Sequence, residues 1–123
     1  MSTKFSKDHV WARMDGTNAI VGITTHAQET LGDIVFVELP ALGTTVMSGE
    51  VAGVVESVKT AADVFSPLSG VITEVNESLR ADPSLANSDP LATGWFFKLA
   101  PSNADEFAAL MDEAQYLPFS QNA

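Results

Sequence analysis

The chain contains no cysteine. That removes disulfide scaffolds, thiolate metal sites, iron–sulfur clusters and cysteine nucleophiles at once. Basic charge is scarce too: 6 Lys and Arg stand against 16 Asp and Glu, a formal net charge of -10. Binding to DNA, RNA or an anionic membrane rests on clustered Lys and Arg, so no nucleic-acid or membrane partner is expected. The acidic balance instead suits solubility and electrostatic steering toward basic partners. Long apolar runs are also missing. Stretches such as Ile34 to Val37 and Ala108 to Met111 are far too short to cross a bilayer. The opening MSTKFSKDHV carries two lysines with no apolar stretch behind them, unlike a signal peptide. The expectation is a cytoplasmic protein, and a mature organellar form would read the same way.

What is present suits one folded domain over residues 1–123, with 46% apolar residues to build a core. The first 75 residues are punctuated like an all-β domain. Apolar alternation runs over Val10 to Arg13 and around Ala19 to Ile23, separated by the turn signal Asp15-Gly16-Thr17-Asn18. A short helix is expected from His26 to Leu31, with Thr25 as its cap and Gly32 just past its end. Ile34 to Leu39, Val51 to Ser57, Asp63 to Ser66, Gly70 to Val75 and Gly94 to Leu99 read as further strands. The end changes character: Ser102 can cap a helix whose apolar face is Phe107, Leu110, Met111 and Ala114, giving a helical segment at about 102–116. A weak echo relates Gly32-Asp-Ile-Val-Phe-Val-Glu to Gly70-Val-Ile-Thr-Glu-Val-Asn, and Ser48-Gly49-Glu50 to Asn87-Ser88-Asp89. Either two interlocked strand–turn–strand units or chance likeness between β-segments explains it.

Between Arg13 and Arg80 the only Lys or Arg is Lys59. Folding Glu56-Ser57-Val58-Lys59-Thr60-Ala61-Ala62-Asp63 as a hairpin about Val58-Lys59 sets Ser57 against Thr60, Glu56 against Ala61 and Val55 against Ala62. Lys59 then stands at the tip. Two-residue hairpin turns favour Asn-Gly and related pairs because their central residues need positive φ, and Val58 there would be strained. A type I turn suits these residues better, although it splays the strands. The tip therefore reads either as a device that presents the lysine or as an ordinary surface lysine paired with Glu56 or Asp63, worth about 0–1 kcal/mol.

The segment Glu56-Ser57-Val58-Lys59, followed by Asp63 and then Ser66-Pro67-Leu68-Ser69-Gly70, resembles the lipoyl-attachment region of the glycine cleavage H-protein family. Gly43, sixteen residues before Lys59, and Gly70, eleven after it, match the spacing of lipoyl- and biotin-bearing domains. Further likeness lies in Gly22-Ile-Thr-Thr-His26-Ala-Gln, Leu31-Gly-Asp-Ile-Val-Phe-Val-Glu-Leu-Pro40, Glu74-Val-Asn-Glu-Ser-Leu79, Pro83-Ser-Leu-Ala-Asn87-Ser-Asp-Pro90 and Gly94-Trp95. It spans about His9 to Tyr116. One departure stands out: where the family usually reads His-Glu-Trp, this chain has His9-Val10-Trp11, so a carboxylate that would meet a charged amine is missing.

The resemblance implies a mainly β fold, a flattened β-barrel or sandwich of the lipoyl/biotinyl-domain (barrel-sandwich hybrid) type with a short N-terminal helix and a C-terminal helix. It implies a lipoyl hairpin at about 50–66 and lipoic acid in amide linkage to Lys59. It also implies a carrier without catalytic residues. Glycine decarboxylase, a pyridoxal phosphate enzyme, would load the aminomethyl group; aminomethyltransferase would pass it to tetrahydrofolate; dihydrolipoyl dehydrogenase would reoxidise the dithiol. A lipoate ligase or lipoyl transferase would attach the group. Glu56 and Asp63 either help such an enzyme recognise the hairpin or merely solvate it, with Ser57 and Val58 shaping the tip. Gly43 and Gly70 read as turn glycines with unusual backbone angles. A monomer suits a shuttle with several partners. Two alternatives stay open: an H-like protein relaying lipoate to other complexes, and an unmodified β-domain acting as an interaction module. A biotin carrier fits less well, because that lysine usually sits between methionines.

Other constellations are weak. His9 and His26 are the only histidines and have no close ligand spacing, so no metal site is expected. Neither a Gly-x-Ser-x-Gly elbow nor a phosphate loop occurs. Asn76-Glu77-Ser78 matches a glycosylation sequon that means nothing without secretion. Trp11, Trp95, Phe96 and Phe97 read as core or cleft wall.

Overall fold

The computed structural model describes residues 3–121. Antiparallel pairing dominates it. One sheet contains β1 (Thr3–Phe5), β2 (Val10–Asp15), β3 (Asn18–Ile23), β5 (Thr45–Val46), β8 (Gly70–Val75) and β9 (Phe97–Pro101), hydrogen-bonded in the order β1-β2-β3-β9-β8-β5. The other contains β4 (Ile34–Glu38), β6 (Val51–Ser57) and β7 (Ala61–Phe65), in the order β4-β6-β7. The two sheets stay open rather than closing into a barrel, so the expected mainly β architecture takes its sandwich form.

Period-two burial explains the sandwich. Along β8, Gly70 and Ile72 are buried while Val71 and Thr73 face solvent. Val10, Val21 and Ile23 from the larger sheet meet Val37, Val55 and Val64 from the smaller one in a single core, joined by Leu31 from α1 (Thr25–Leu31). A second cluster holds Phe5, Trp11 and Tyr116. Trp11 is fully buried, and its indole N–H donates to Pro90 O at 2.9 Å, which satisfies the polar edge of a large apolar ring.

Several boundaries differ from expectation. Thr24, not Thr25, caps α1: its extended backbone lets Oγ1 accept from Ala27 N–H at 3.2 Å. The last strand of the larger sheet begins at Phe97 rather than Gly94. The residues before it are held in turns by Asn76, whose Nδ2 donates to Thr93 O and Trp95 O, both at 2.8 Å. Two short helices, α2 (Glu77–Ala81) and α3 (Leu85–Ser88), fill the segment between β8 and β9. The second pair of echoing segments therefore differs in structure, since Asn87-Ser88-Asp89 ends a helix, and the strands of the first pair, β4 and β8, lie in different sheets.

The C-terminal segment is two helices rather than one. Asn103, not Ser102, caps α4 (Ala104–Ala109) through Oδ1, which accepts from Asp105 N–H at 3.0 Å. The helix stops because Leu110 turns extended, and Met111 then pairs with Phe5 on the open edge of β1 through bonds of 2.7 and 2.9 Å. An unpaired strand edge is a strong competitor for backbone hydrogen bonds. A fresh cap at Asp112, whose Oδ1 accepts from Gln115 N–H at 2.8 Å, starts α5 (Glu113–Gln121). Among the described residues no helix is long and apolar enough to cross a membrane.

Candidate functional site

β6 and β7 form the expected hairpin, with Glu56 opposite Ala61 and Val55 opposite Ala62. Ser57 closes its tip. Its N–H donates to Thr60 O at 2.7 Å, while its Oγ accepts from the N–H groups of Lys59 at 3.2 Å and Thr60 at 3.1 Å. Among the described non-glycine residues only His9 has a positive φ, so Val58 and Lys59 avoid the left-handed backbone of a type I′ turn. Val58 N–H donates outside the hairpin, to Asp33 O at 3.0 Å. The tip is thus tied to the loop that precedes β4.

Lys59 is exposed, and so are Glu56 and Asp63. The ion pairs among the described residues are Arg80–Glu77 and Lys98–Glu74, so the reading of Lys59 as half of a surface pair with Glu56 or Asp63 is not the arrangement found. The lysine stem instead lies across Gly32: a methyl group there would sit 3.1 Å from its Cε and 3.6 Å from its Nζ.

A cleft of about 400 Å³ opens beside the hairpin. Its apolar walls come from Val10 and Ile23 on one sheet, Val55, Ala62 and Val64 on the other, and Leu31. Asp8, His9, His26, Thr30 and Asp63 supply the polar lining. Val10, where a carboxylate was noted as missing, is buried in this wall. The carboxylates lining the cleft are those of Asp8 and Asp63.

Two features escaped the sequence. The rings of His9 and His26, seventeen positions apart in the chain, meet at a tilt of 33° with centroids 4.4 Å apart. His9 Nδ1 lies 2.7 Å from Tyr116 Oη, which is 2.9 Å from Thr24 Oγ1. Burial, with help from His26 and against Asp8, holds the His9 pKa below its ordinary value; burial raises that of Tyr116, opposed by the Thr24 bond. A neutral His9 can accept a hydrogen bond from the Tyr116 hydroxyl at Nδ1. No periodicity marks such a meeting, since it joins the β1–β2 connection, α1 and α5. Among the described residues no group of three His, Asp or Glu side chains is placed to hold a metal ion.

Gly43 and Gly70 lie away from the tip. Gly43 is a left-handed turn residue with φ 82, its N–H donating to Ile72 O at 2.8 Å. Gly70 does not have a positive φ and is not a turn glycine. It opens β8 pressed against Ala100, and any side chain there would collide with that residue's carbonyl oxygen.

A model of the glycine cleavage H-protein family matches residues 3–123. The chain belongs to that family. It is 54% identical over 114 residues to the glycine cleavage system H protein of Chromobacterium violaceum, covering 92% of this chain and 89% of that one. It is 45% identical over 120 residues to the one from Myxococcus xanthus, covering 98% and 93%. The crystal structure of a glycine cleavage system H protein from Mycobacterium marinum superimposes with a TM-score of 0.88 at 38% identity, over 98% of this chain and 96% of that one. H-proteins are lipoyl carriers of the glycine cleavage system rather than enzymes, and this chain takes its place there as one of them.

Proposed function

We propose that Lys59 carries lipoate in amide linkage to Nζ, and that residues 1–123 act as a single lipoyl-carrier domain with its lipoyl hairpin at about 50–66. Residues 1–2 and 122–123 lie outside those described. One observation carries the reading: the hairpin tip of an H-protein chain offers an exposed lysine beside an apolar cleft. The residues fit the group. Acylation removes the ammonium charge, which leaves a long, largely apolar arm suited to walls of Leu31, Val55 and Val64.

When bound, lipoate supplies the sulfurs that take the aminomethyl group from glycine decarboxylase, yield it to aminomethyltransferase and are reoxidised by dihydrolipoyl dehydrogenase. The chain's own residues do different work. Ser57 and Asp33 hold the tip so that residue 59 projects. Tethering keeps the group at high local concentration near each docked enzyme. Glu56 and Asp63, both outside any ion pair found, offer carboxylates to a lipoate ligase or lipoyl transferase. The net charge of -10 steers basic partner surfaces and repels nucleic acid and anionic membranes. The protein works as a cytoplasmic monomer.

Val10 favours keeping a second reading, an H-like relay that hands lipoate to other complexes, because the buried wall of the cleft offers no carboxylate at that position to an aminomethyl ammonium. Glycine–bicarbonate exchange with lipoylated protein and a glycine decarboxylase separates the two. Exchange above the unmodified chain supports the shuttle. Its absence, with lipoate present on Lys59, favours the relay.

A further inference from the structure

The lysine stem reaches the cleft by way of one small loop. Gly32 lies directly under Lys59 Cε, and the next residues back, Leu31 and Thr30, already line the cleft. Gly32 has φ 82 and ψ -154, a region open essentially to glycine alone, and its lack of a side chain leaves the passage clear. Immediately after it, Asp33 O accepts the Val58 N–H from the hairpin tip. Three consecutive residues, 32 to 34, therefore join the cleft wall, the lysine stem and the lysine's own turn.

This loop is held from a distant helix by one side chain. Asn87, on α3, accepts from Ile34 N–H through Oδ1 at 2.8 Å. Its Nδ2 donates to Gly32 O at 2.8 Å and to Gln28 Oε1 at 3.0 Å. Every Asn87 side-chain bond found goes to α1, to Gly32 after it or to the first residue of β4, and none caps its own helix, which has no side-chain cap bond and ends at Ser88. A carboxamide presents a donor and an acceptor on separate atoms, so one side chain can hold the carbonyl at the start of this turn and the N–H at its end together.

We propose that Asn87 is a positioning residue for Lys59: by clamping Gly32 and Ile34 it fixes the loop as a saddle that orients the hairpin tip and directs the arm on residue 59 into the cleft. The inference rests on the reading of Lys59 as the acylated residue. The clamp can also be tested without the acyl group.

In the unmodified full chain, Asn87→Ala should speed amide hydrogen exchange at Val58 and Ile34 by about tenfold, the effect of losing one or two partly buried bonds. Amides of Ile72 and Leu99 in the larger sheet should stay unchanged. Asn87→Asp keeps the acceptor for Ile34 but turns a charge toward Gly32 O, so it should free Val58 while sparing Ile34. After lipoylation, the wild-type methyl resonances of Val55 and Val64 should shift as the arm enters the cleft. In Asn87→Asp and in Gly32→Ala those shifts should fall by at least half, although Lys59 still gains the lipoyl mass. Unchanged Val58 exchange in both Asn87 variants, or undiminished methyl shifts in the lipoylated variants, would overturn the proposal. A wild type that gains no lipoyl mass would overturn the carrier reading beneath it, while the exchange at Val58 still decides whether the clamp exists.

Discussion

Two hairpins among the described residues have two-residue turns and solve the same problem in opposite ways. The β2–β3 turn, between Asp15 and Asn18, places Gly16 at φ 67 and so meets the backbone demand with local chemistry. The β6–β7 turn has no glycine and no positive φ. It relies on Ser57 Oγ, which accepts two N–H groups, and on Asp33, which holds Val58 from outside. The first turn is self-sufficient. The second is shaped by its neighbours, which suits a tip whose residues are selected for presenting an amine. His9 is a third variant, a non-glycine residue at φ 63 within hydrogen-bond reach of Tyr116.

The largest expected effect of breaking this contrast is at Lys59. Lys59→Arg should abolish lipoylation and glycine–bicarbonate exchange while leaving the melting temperature within about 2 °C, because an exposed tip residue bears little of the stability. Gly16→Ala should do the reverse. Nothing lies within 4 Å of the added methyl group, so the cost is the backbone's alone, about 1–2 kcal/mol by denaturant titration, with lipoylation at the wild-type rate. Ser57→Ala should cost about 0.5–1 kcal/mol and slow lipoylation severalfold, as it loosens the tip without touching the amine. Equal lipoylation rates for Gly16→Ala and Ser57→Ala would erase the distinction between the two turns.

The smallest effect concerns pH. The folded-state pKa of His9 lies below its ordinary 6.5, so the unfolded chain takes up the proton first as pH falls. This group's contribution to stability is full above about pH 6.5 and declines below it, down to the folded-state pKa. His9→Asn tolerates the left-handed backbone and does not titrate. It should flatten the slope of stability against pH below 6.5, read from urea midpoints. An unchanged slope would show that His9 does not contribute to this pH dependence.

The comparison also marks what the residues alone reveal. The hairpin register follows from counting outward from Lys59, and the missing glycine indicates the turn's backbone, since both are properties of adjacent residues. The family likeness was legible too, because its motifs are short and ordered. Asp33 bonding Val58, Asn87 clamping Gly32, and His9 meeting His26 were not legible, for each joins elements distant in the chain. Capping was read one residue late at Thr24 and one early at Asn103, where neighbouring residues of equal capping ability compete and the wider packing decides. Gly70 was misread for a related reason. A glycine needed for close approach looks the same in sequence as one needed for a turn, and only the position of Ala100 distinguishes them.

Peptide mass mapping after incubation with lipoate and a lipoate ligase tests the central claim most directly. One lipoyl addition is expected, on the peptide that contains Lys59, and none anywhere in Lys59→Arg. An unmodified Lys59 in the wild type, or the same addition on Lys4, Lys7 or Lys98, would contradict it.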